Sequence, residues 1–288
     1  QDDTSINKIT QTLLEERNKR TKPGLDDKML TSWNALMSAG LLDFYRVSLD
    51  DQDLERALKN IDFIQNKLAK DDFSLAHTFQ RDEAKIDGFL EDYAFHISAL
   101  IKAFEATSEE KYLDLAKGFT EHCLEHFFSE ENGMFNFSSA SGERLIANKQ
   151  ETQDNVIPAS NSQMAINLFE LGKYFGNISF MNIAKQMLSN VWELIGNFPG
   201  AYSNWALLGL SLVEDKTEIV VSGTDSADVT EKLKTLTHPN VTVLNCSKES
   251  ELPVFKGRFS DGETSIFVCR NGSCLAPVSS VEEALKAM

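Results

Sequence analysis

The sequence predicts a mainly α-helical protein, an (α/α) toroid of helical hairpins followed by a small C-terminal α/β unit. Two observations predict the toroid. Apolar residues recur at helical spacing over most of residues 1–215, and one unit repeats there: an apolar helix, a short turn, a more amphipathic helix and a long polar loop. A third observation, runs of β-branched residues after residue 215, predicts the α/β unit in residues 216–288.

Residues 87–104 are predicted to form the most buried helix of the toroid. Two overlapping rows of apolar side chains follow helical spacing here, so the apolar surface is wider than a single stripe. The first turn is acidic, with Asp87, Glu91 and Asp92. Acids at a helix N-terminus complement its dipole and cap its N–H groups, which is one interpretation of these residues. The other interpretation is that the carboxylates form part of a site.

The remaining elements follow in chain order. Outside residues 87–104, helices are predicted at 5–20, 31–47, 54–68, 112–124, 162–175, 180–195 and 204–213, and short strands at 75–79 and 133–137. In the α/β unit, strands are predicted at 218–222, 240–244 and 265–269, and helices at 227–237 and 281–287. The hairpins start at unequal intervals, which argues against a solenoid of fixed period and favours a ring whose long loops emerge on one face.

The charge balance excludes several classes of partner. The chain has 28 basic and 44 acidic residues and a formal charge of −16, which would repel nucleic acid and anionic membrane surfaces. No apolar run approaches the roughly 18 residues of a membrane span. The four cysteines form no dense framework of the kind found in secreted domains. We therefore expect a cytoplasmic protein, and no cofactor is predicted.

The long loops that lead into the apolar helices are rich in polar and aromatic residues. Aromatic rings can cover the C–H faces of a sugar while polar groups bind its hydroxyls, and paired carboxylates can act as general acid and base. The alternative is that the acids cap helices and the tryptophans belong to the core. The candidate catalytic residues are His77, Asp87, Glu91 and Asp92. The candidate substrate-binding residues are Asp26, Asp27, Trp33, Asn34, Arg81, Tyr93, Asp154, Asn155, Ser160, Asn161 and Trp205.

Two further pairs have a spacing that can carry chemistry. His122 and His126 lie four residues apart, as in some metal sites, but no third ligand is evident in the sequence and no metal is predicted. Cys269 and Cys274 flank a turn signal, and a tight turn would bring them within the roughly 4–7 Å Cα separation of a disulfide. We expect a structural bond. A redox pair is the alternative, although such pairs usually read Cys-x-x-Cys.

Four segments, 17–34, 87–94, 154–161 and 268–278, carry a resemblance to a known family. In order, and over almost the whole chain, they resemble the YyaL / spermatogenesis-associated protein twenty family of thioredoxin-domain-containing proteins. The resemblance implies an N-terminal thioredoxin-like domain and a toroid of the six-hairpin glycosidase type, similar to N-acylglucosamine 2-epimerase and cellobiose epimerase. This chain would correspond to the C-terminal portion. Ala35 departs from the pattern, where the family is expected to have Gly.

Two functions are compatible with this resemblance and with the loop residues. The first is a carbohydrate-binding or carbohydrate-modifying toroid, epimerase-like or glycosidase-like, with a saccharide as ligand. The second is a non-catalytic scaffold that presents clients to the thioredoxin-like domain. The sequence supplies about four of the six hairpins of a closed ring, so apolar surface should remain uncovered. We therefore expect a homodimer, or closure of the ring by another chain.

Overall fold

A computed structural model of the protein describes residues 3–140, 149–214, 216–236, 241–270 and 272–288. Helices of the toroid portion alternate between two layers. The inner helices are α2 (Thr31–Ser48), α4 (Leu90–Thr107), α6 (Ser160–Phe175) and α8 (Ser203–Val213). The outer helices are α3 (Asp51–Lys67), α5 (Lys111–His126) and α7 (Ile178–Asn197), each packed on the inner helix before it. This arrangement confirms the predicted helical hairpins.

The helix α4 lies at the centre of the arc of inner helices, between α2 and α6. Fourteen of its 18 residues are buried, as the two apolar rows predicted. The helix begins where the Asp92 carboxylate accepts a hydrogen bond from the N–H of Phe89 (2.9 Å), and it ends at Ser108, whose φ of 62° turns the chain towards α5. Burial on this scale makes α4 the rigid element from which the surrounding loops are positioned.

A three-stranded sheet precedes α4 and was only partly predicted. It contains β1 (Met29–Leu30), β2 (Ala76–Gln80) and β3 (Glu83–Asp87), with β2 in the middle. The strand β3 is exposed throughout, and the apolar side of its alternation consists only of Ala84 and Ile86, a signal too weak to separate it from a charged loop. Because Asp87 pairs with Ala76 at the end of this hairpin, α4 begins at Leu90, and the prediction that the helix starts at Asp87 is wrong. A smaller hairpin joins β4 (Phe128–Ser129) to β5 (Met134–Phe135).

The C-terminal α/β unit has a sheet of four strands in the order β7-β6-β8-β9. The strands are β6 (Thr217–Ser222), β7 (Val241–Cys246), β8 (Ser265–Arg270) and β9 (Ser273–Cys274), and the helices are α9 (Ser226–Leu236) and α10 (Val281–Ala287). The strands β6 and β7 are parallel, with α9 between them in the chain. The predicted strand 240–244 starts one residue outside the described part of the chain. Cys269 and Cys274 lie opposite each other and form a disulfide, with Cα atoms 3.9 Å apart.

The α/β unit packs against the C-terminal half of α4. Val220 and Leu244 belong to the same apolar cluster as the inner helices, and the rings of Phe104 and Phe255 lie 5.9 Å apart. Beside them, buried Glu105 accepts hydrogen bonds from Lys216 Nζ (3.0 Å) and from the hydroxyl of Tyr174 (2.8 Å). The basic groups around Glu105 outweigh its burial and hold its pKa at about 2. Apolar and ionic contacts therefore join the unit to the helices.

The first helix, α1 (Asp3–Asn18), is exposed along its length. Its apolar side chains Ile6, Ile9 and Leu13 are 56, 61 and 66% exposed. Apolar side chains at helical spacing normally pack on a partner, so this face is available for another surface. In the described part of the chain, no helix combines the length and the apolar character that crossing a bilayer requires.

Candidate functional site

The N-terminal ends of α2 and α4 meet beside strand β2, and four polar side chains lie together there: Ser32, His77, Glu91 and Asp92. We call this group the acid–histidine cluster. Ser32 begins α2, His77 comes from β2, and the two acids stand in the first turn of α4. The long loops predicted to emerge on one face thus supply neighbouring side chains at one end of the inner helices.

Asp92 is fully buried and organises the cluster. One of its oxygens accepts hydrogen bonds from His77 Nδ1 (2.8 Å) and from the N–H of Phe89 (2.9 Å). The other oxygen accepts the N–H of Ser32 (2.9 Å). A buried carboxylate is stable only when its oxygens are paired in this way. Asp92 therefore caps α4, holds α2 against it and fixes the orientation of His77.

His77 is oriented for proton exchange. A carboxylate can only accept, so Nδ1 carries the hydrogen and Nε2 is the acceptor atom of the neutral ring. The hydrogen bond to Asp92 raises the pKa of His77, and burial only partly opposes this effect. The ring of Phe89 packs edge-on against His77, with centroids 4.9 Å apart. His77 is therefore held in place with Nδ1 bonded to Asp92, and its Nε2 is the ring nitrogen left for proton exchange.

Glu91 is more exposed than its neighbour Asp92. Its carboxyl group is partly buried, and burial is the largest of the effects that raise its pKa. The negative charges of Asp92 and Glu151 raise it further. The hydroxyl of Ser32 donates a hydrogen bond of 3.4 Å to Glu91. A carboxyl group with a raised pKa is the kind of group that serves as a general acid.

Glu151 is a second carboxylate near Glu91 that the sequence analysis missed. It precedes α6, and one of its oxygens accepts the N–H of Ser160 at the start of that helix (3.4 Å). Lys149 Nζ lies 3.7 Å from its other oxygen. These contacts fix the orientation of the Glu151 carboxylate. Glu151 lies nine residues before α6, in a long loop, so the acid-rich first turn that pointed to Asp92 has no counterpart at this position.

His77, Glu91 and Asp92 also form a candidate metal site, since each offers an atom within 4.8 Å of the others. The donor set fits a metal poorly, because both oxygens of Asp92 and Nδ1 of His77 are already engaged in hydrogen bonds. A cation would have to displace these donors from a buried carboxylate. The arrangement of the cluster thus favours proton transfer over metal binding.

His122 belongs to the other pair with the spacing of a metal site. Its two ring nitrogens form hydrogen bonds with the hydroxyl of Tyr93 and the carbonyl of Asp72.

Of the three aromatic residues predicted to contact a ligand, Trp33 is accessible, whereas Tyr93 and Trp205 are core residues. Trp33 follows Ser32 and is 63% exposed. Tyr93 and Trp205 are buried, and their polar atoms are engaged: the Tyr93 hydroxyl accepts the N–H of Leu75, and Trp205 Nε1 donates to a carbonyl. The prediction that Tyr93 and Trp205 stack on a ligand is therefore wrong, because their rings fill the core.

The loop before α6 is held by its own polar residues. Asp154 accepts hydrogen bonds from Ala159 N–H, from the hydroxyl of Ser162 and from the N–H of Asn204. Asn161 is fully buried and exchanges two hydrogen bonds with the backbone of Phe135, and Ser160 is also fully buried. Neither Ser160 nor Asn161 can reach a ligand as predicted, because the helix N-terminus they form lies inside the core.

The remaining predicted residues lie around the cluster without joining it. Asp87 is exposed at the end of β3, and Asn155 is exposed in the loop before α6. Asn34 donates to the carbonyl of Leu30, the residue just before α2. Asp26 forms an ion pair with Lys28. Asp27 accepts a hydrogen bond from Gln80, which is the main cause of its lowered pKa, and the charge of Arg81 is a smaller cause.

Comparisons with known proteins agree with this architecture. The human spermatogenesis-associated protein 20 is 25% identical over 310 residues, which cover 99% of this chain and 39% of the human protein. An uncharacterized protein of Caenorhabditis elegans is 24% identical over 294 residues, 96% of this chain and 40% of that protein. The chain thus spans about two fifths of the length of the curated relatives it matches.

One solved structure has a similar fold, and this similarity concerns the fold only. The GH76 alpha-mannanase of Bacteroides thetaiotaomicron superposes with a TM-score of 0.50 and 13% identity, over 59% of this chain and 46% of the mannanase. The toroid portion is thus glycosidase-like in fold, as the resemblance implied. Residues 6–206 match the family model described as Beta-L-arabinofuranosidase, GH127 catalytic domain. This match spans more than half of the chain and includes every member of the acid–histidine cluster, so the chain belongs to the GH127 catalytic-domain family.

Proposed function

We propose that the acid–histidine cluster is an acid–base site for a saccharide and that its reaction is hydrolysis of a glycosidic bond. The observation that carries the proposal is the difference between two neighbouring carboxyl groups. Burial raises the pKa of Glu91, whereas one oxygen of Glu151 accepts the N–H of Ser160 at a helix N-terminus and the other lies 3.7 Å from Lys149 Nζ. Glycosidases use two carboxyl groups in different environments, one as the acid and the other as base or nucleophile.

Each residue has a role in this reaction. Glu91 protonates the oxygen of the leaving group, and Glu151 supplies the negative charge that activates water or stabilises the developing positive charge on the sugar. His77 holds a sugar hydroxyl through Nε2, oriented by Asp92 from behind. Exposed Trp33 supplies an apolar surface for the sugar ring. The family description favours a furanoside with the configuration of L-arabinose as substrate.

An epimerase-like reaction is the variant of this proposal with the same residues. It would use the neutral ring of His77 to remove a proton from a sugar carbon and a second acid to return one. The two reactions give different products. Hydrolysis releases a free sugar from a glycoside, whereas epimerisation converts one aldose into another without a leaving group.

The test is a panel of 4-nitrophenyl glycosides that includes the β-L-arabinofuranoside, with free aldoses followed by NMR in parallel. Glu91→Gln and Glu151→Gln should each lower turnover by roughly 100-fold or more, the usual contribution of general acid–base catalysis. Asp87→Asn is the matched control, because Asp87 is an exposed acid just before α4, and it should leave turnover unchanged. Absence of both turnover and saccharide binding would contradict the proposal.

The second candidate is a client-binding module that serves a thioredoxin-like redox domain. The exposed apolar row of α1, with Ile6, Ile9 and Leu13, favours it, because such a row suits an unfolded or partner segment. This function predicts that substitutions on α1 weaken binding of a denatured client. It also predicts that Glu91→Gln has no effect on that binding, which separates it from the saccharide site.

A further inference from the structure

A cavity of about 470 Å³ lies at the end of the inner helices opposite to the acid–histidine cluster. The last turns of α2 and α4 form one wall, and α9 and β7 of the α/β unit form the other. Ala106, which lines the cavity, follows Glu91 by fifteen positions in α4, so the two sites are roughly 20 Å apart along the helix. The cavity is large enough for a small organic molecule.

The lining combines apolar walls with two cations. Tyr45, Val47 and Val243 supply apolar surface, and Arg46 and Lys234 supply positive charge. Arg46 is positioned by the carbonyl of Val241, to which it donates at 3.1 Å. A cavity with apolar sides and a small number of placed polar groups is the usual form of a ligand site.

The carboxylates of the lining already have basic partners. Asp43 lies 2.5 Å from Lys102 Nζ, and Glu105 lies 3.0 Å from Lys216 Nζ, closer than the 3.8 Å between Glu105 and Arg46. Tyr45 is neutral, since burial raises its pKa. Glu231, one turn before Lys234 on α9, is exposed to solvent and only partly offsets the positive charge. These acids therefore do not fully neutralise the charge of Lys234, so the cavity can accept a bound anion.

Lys234 is the group that this environment leaves incompletely paired. Its Nζ donates to the carbonyl of Ala106 at 2.6 Å, and in the described ranges no carboxylate oxygen lies within 4.0 Å of it. An ammonium group has three donors, so two remain. Burial, and then repulsion by Arg46, lowers the pKa of Lys234 to about 8. An anion bound beside Lys234 would offset the free-energy cost of keeping its ammonium group charged in the cavity.

We propose that this cavity is a second ligand site, which binds a small organic oxyanion through the ammonium group of Lys234 with its apolar body against the valines. The shared chemistry is that of a carboxylate or a phosphate ester. The site lies far from the acid–histidine cluster, so the proposal is independent of the proposed function. The structural alternative is that Lys234 only caps the C-terminus of α4 through the carbonyl of Ala106.

The test uses pyridoxal 5′-phosphate, an aldehyde that carries a phosphate group, followed by borohydride and peptide mass mapping. The neutral amine of a lysine adds to the aldehyde with loss of water, and hydride from borohydride reduces the imine. A pKa of about 8 gives Lys234 about 300 times more neutral amine at pH 7 than the ordinary value of 10.5 does. Labelling at Lys234 should therefore exceed labelling at Lys232, an exposed lysine of the same helix, by tenfold or more.

Protection of Lys234 by a competing anion distinguishes binding in the cavity from the intrinsic reactivity of this lysine. Phenyl phosphate or benzoate at millimolar concentration should reduce labelling at Lys234 at least fivefold and leave Lys232 unchanged, and whichever protects identifies the acid group. The anion that protects should raise the melting temperature of Lys232→Gln more than that of Lys234→Gln. If neither anion protects Lys234, or if Lys234→Gln only lowers the melting temperature, the residue is a helix cap and the proposal fails.

Discussion

Replacing Asp92 by Asn tests whether this carboxylate organises the acid–histidine cluster. The substitution keeps the size of the side chain and removes its charge. Asp92 accepts three hydrogen bonds, from His77 Nδ1 and from the backbone of Ser32 and Phe89, and it has no exposure to solvent. An asparagine has only one acceptor oxygen, so its NH2 group must face an N–H donor of this set.

The cost follows from these contacts. With the amide oxygen facing Phe89 and His77, the N–H of Ser32 is left buried without an acceptor, which costs about 1–3 kcal/mol. The two remaining hydrogen bonds lose their charge assistance, at about 0.5–1 kcal/mol each. Asp92→Asn should therefore lower the free energy of unfolding by about 3 kcal/mol, a large part of the ~5–15 kcal/mol of a typical domain.

Urea unfolding followed by circular dichroism measures this change, and NMR titration of His77 measures its electrostatic counterpart. The hydrogen bond to Asp92 is the main cause of the raised pKa of His77, so the pKa should fall in the variant. Asp87→Asn, at an exposed position, should change stability by less than about 0.5 kcal/mol. Equal stability of the two variants, with an unchanged pKa of His77, would refute the reasoning.

Two further predictions concern the acid of the cluster and the open surface. The folded state holds the proton of Glu91 above the ordinary pKa of 4.5, so the stabilisation present below that pH is lost as the pH rises through the raised pKa. The stability of Glu91→Gln relative to wild type should therefore be greater at pH 7 than at pH 4, as urea titration at the two pH values measures; the same difference at both pH values would contradict the raised pKa. Ile9→Lys should weaken self-association in analytical ultracentrifugation, whereas Gln11→Lys, on the side of α1 away from Ile6, Ile9 and Leu13, should not; a wild-type protein that stays monomeric at high concentration would contradict a role of α1 in assembly.

The helices and their pairing were predictable because their signal is local. Spacing of apolar residues places the inner helices, and the short turns fix which helix each one packs against. The strand β3 (Glu83–Asp87) escaped prediction because its side chains are exposed, and its hairpin depends on positive φ angles at Arg81 and Asp82 rather than on an apolar pattern. The start of α4 was misplaced for the same reason.

The site was predictable in part. The sequence alone marks Glu91 and Asp92 as acids in the first turn of an apolar helix, and His77 as a histidine in the segment before it. Neither signal requires knowledge of the side chains that these residues contact. Tyr93 cannot be assigned to surface or core from sequence, since an aromatic ring with one polar atom suits both. Glu151 was missed because its proximity to Glu91 depends on the path of a long loop, which no periodicity encodes.

The central claim is that Glu91 donates a proton to a glycosidic oxygen, and the dependence of Glu91→Gln on the leaving group measures this most directly. A 2,4-dinitrophenolate leaves without protonation, whereas an alkoxide does not. On a dinitrophenyl glycoside of the sugar found in the panel, the variant should keep a rate within about tenfold of wild type. On the methyl glycoside its rate should fall by roughly 100-fold or more. An equal loss on both substrates, or no loss on either, would contradict the role of Glu91 as the acid.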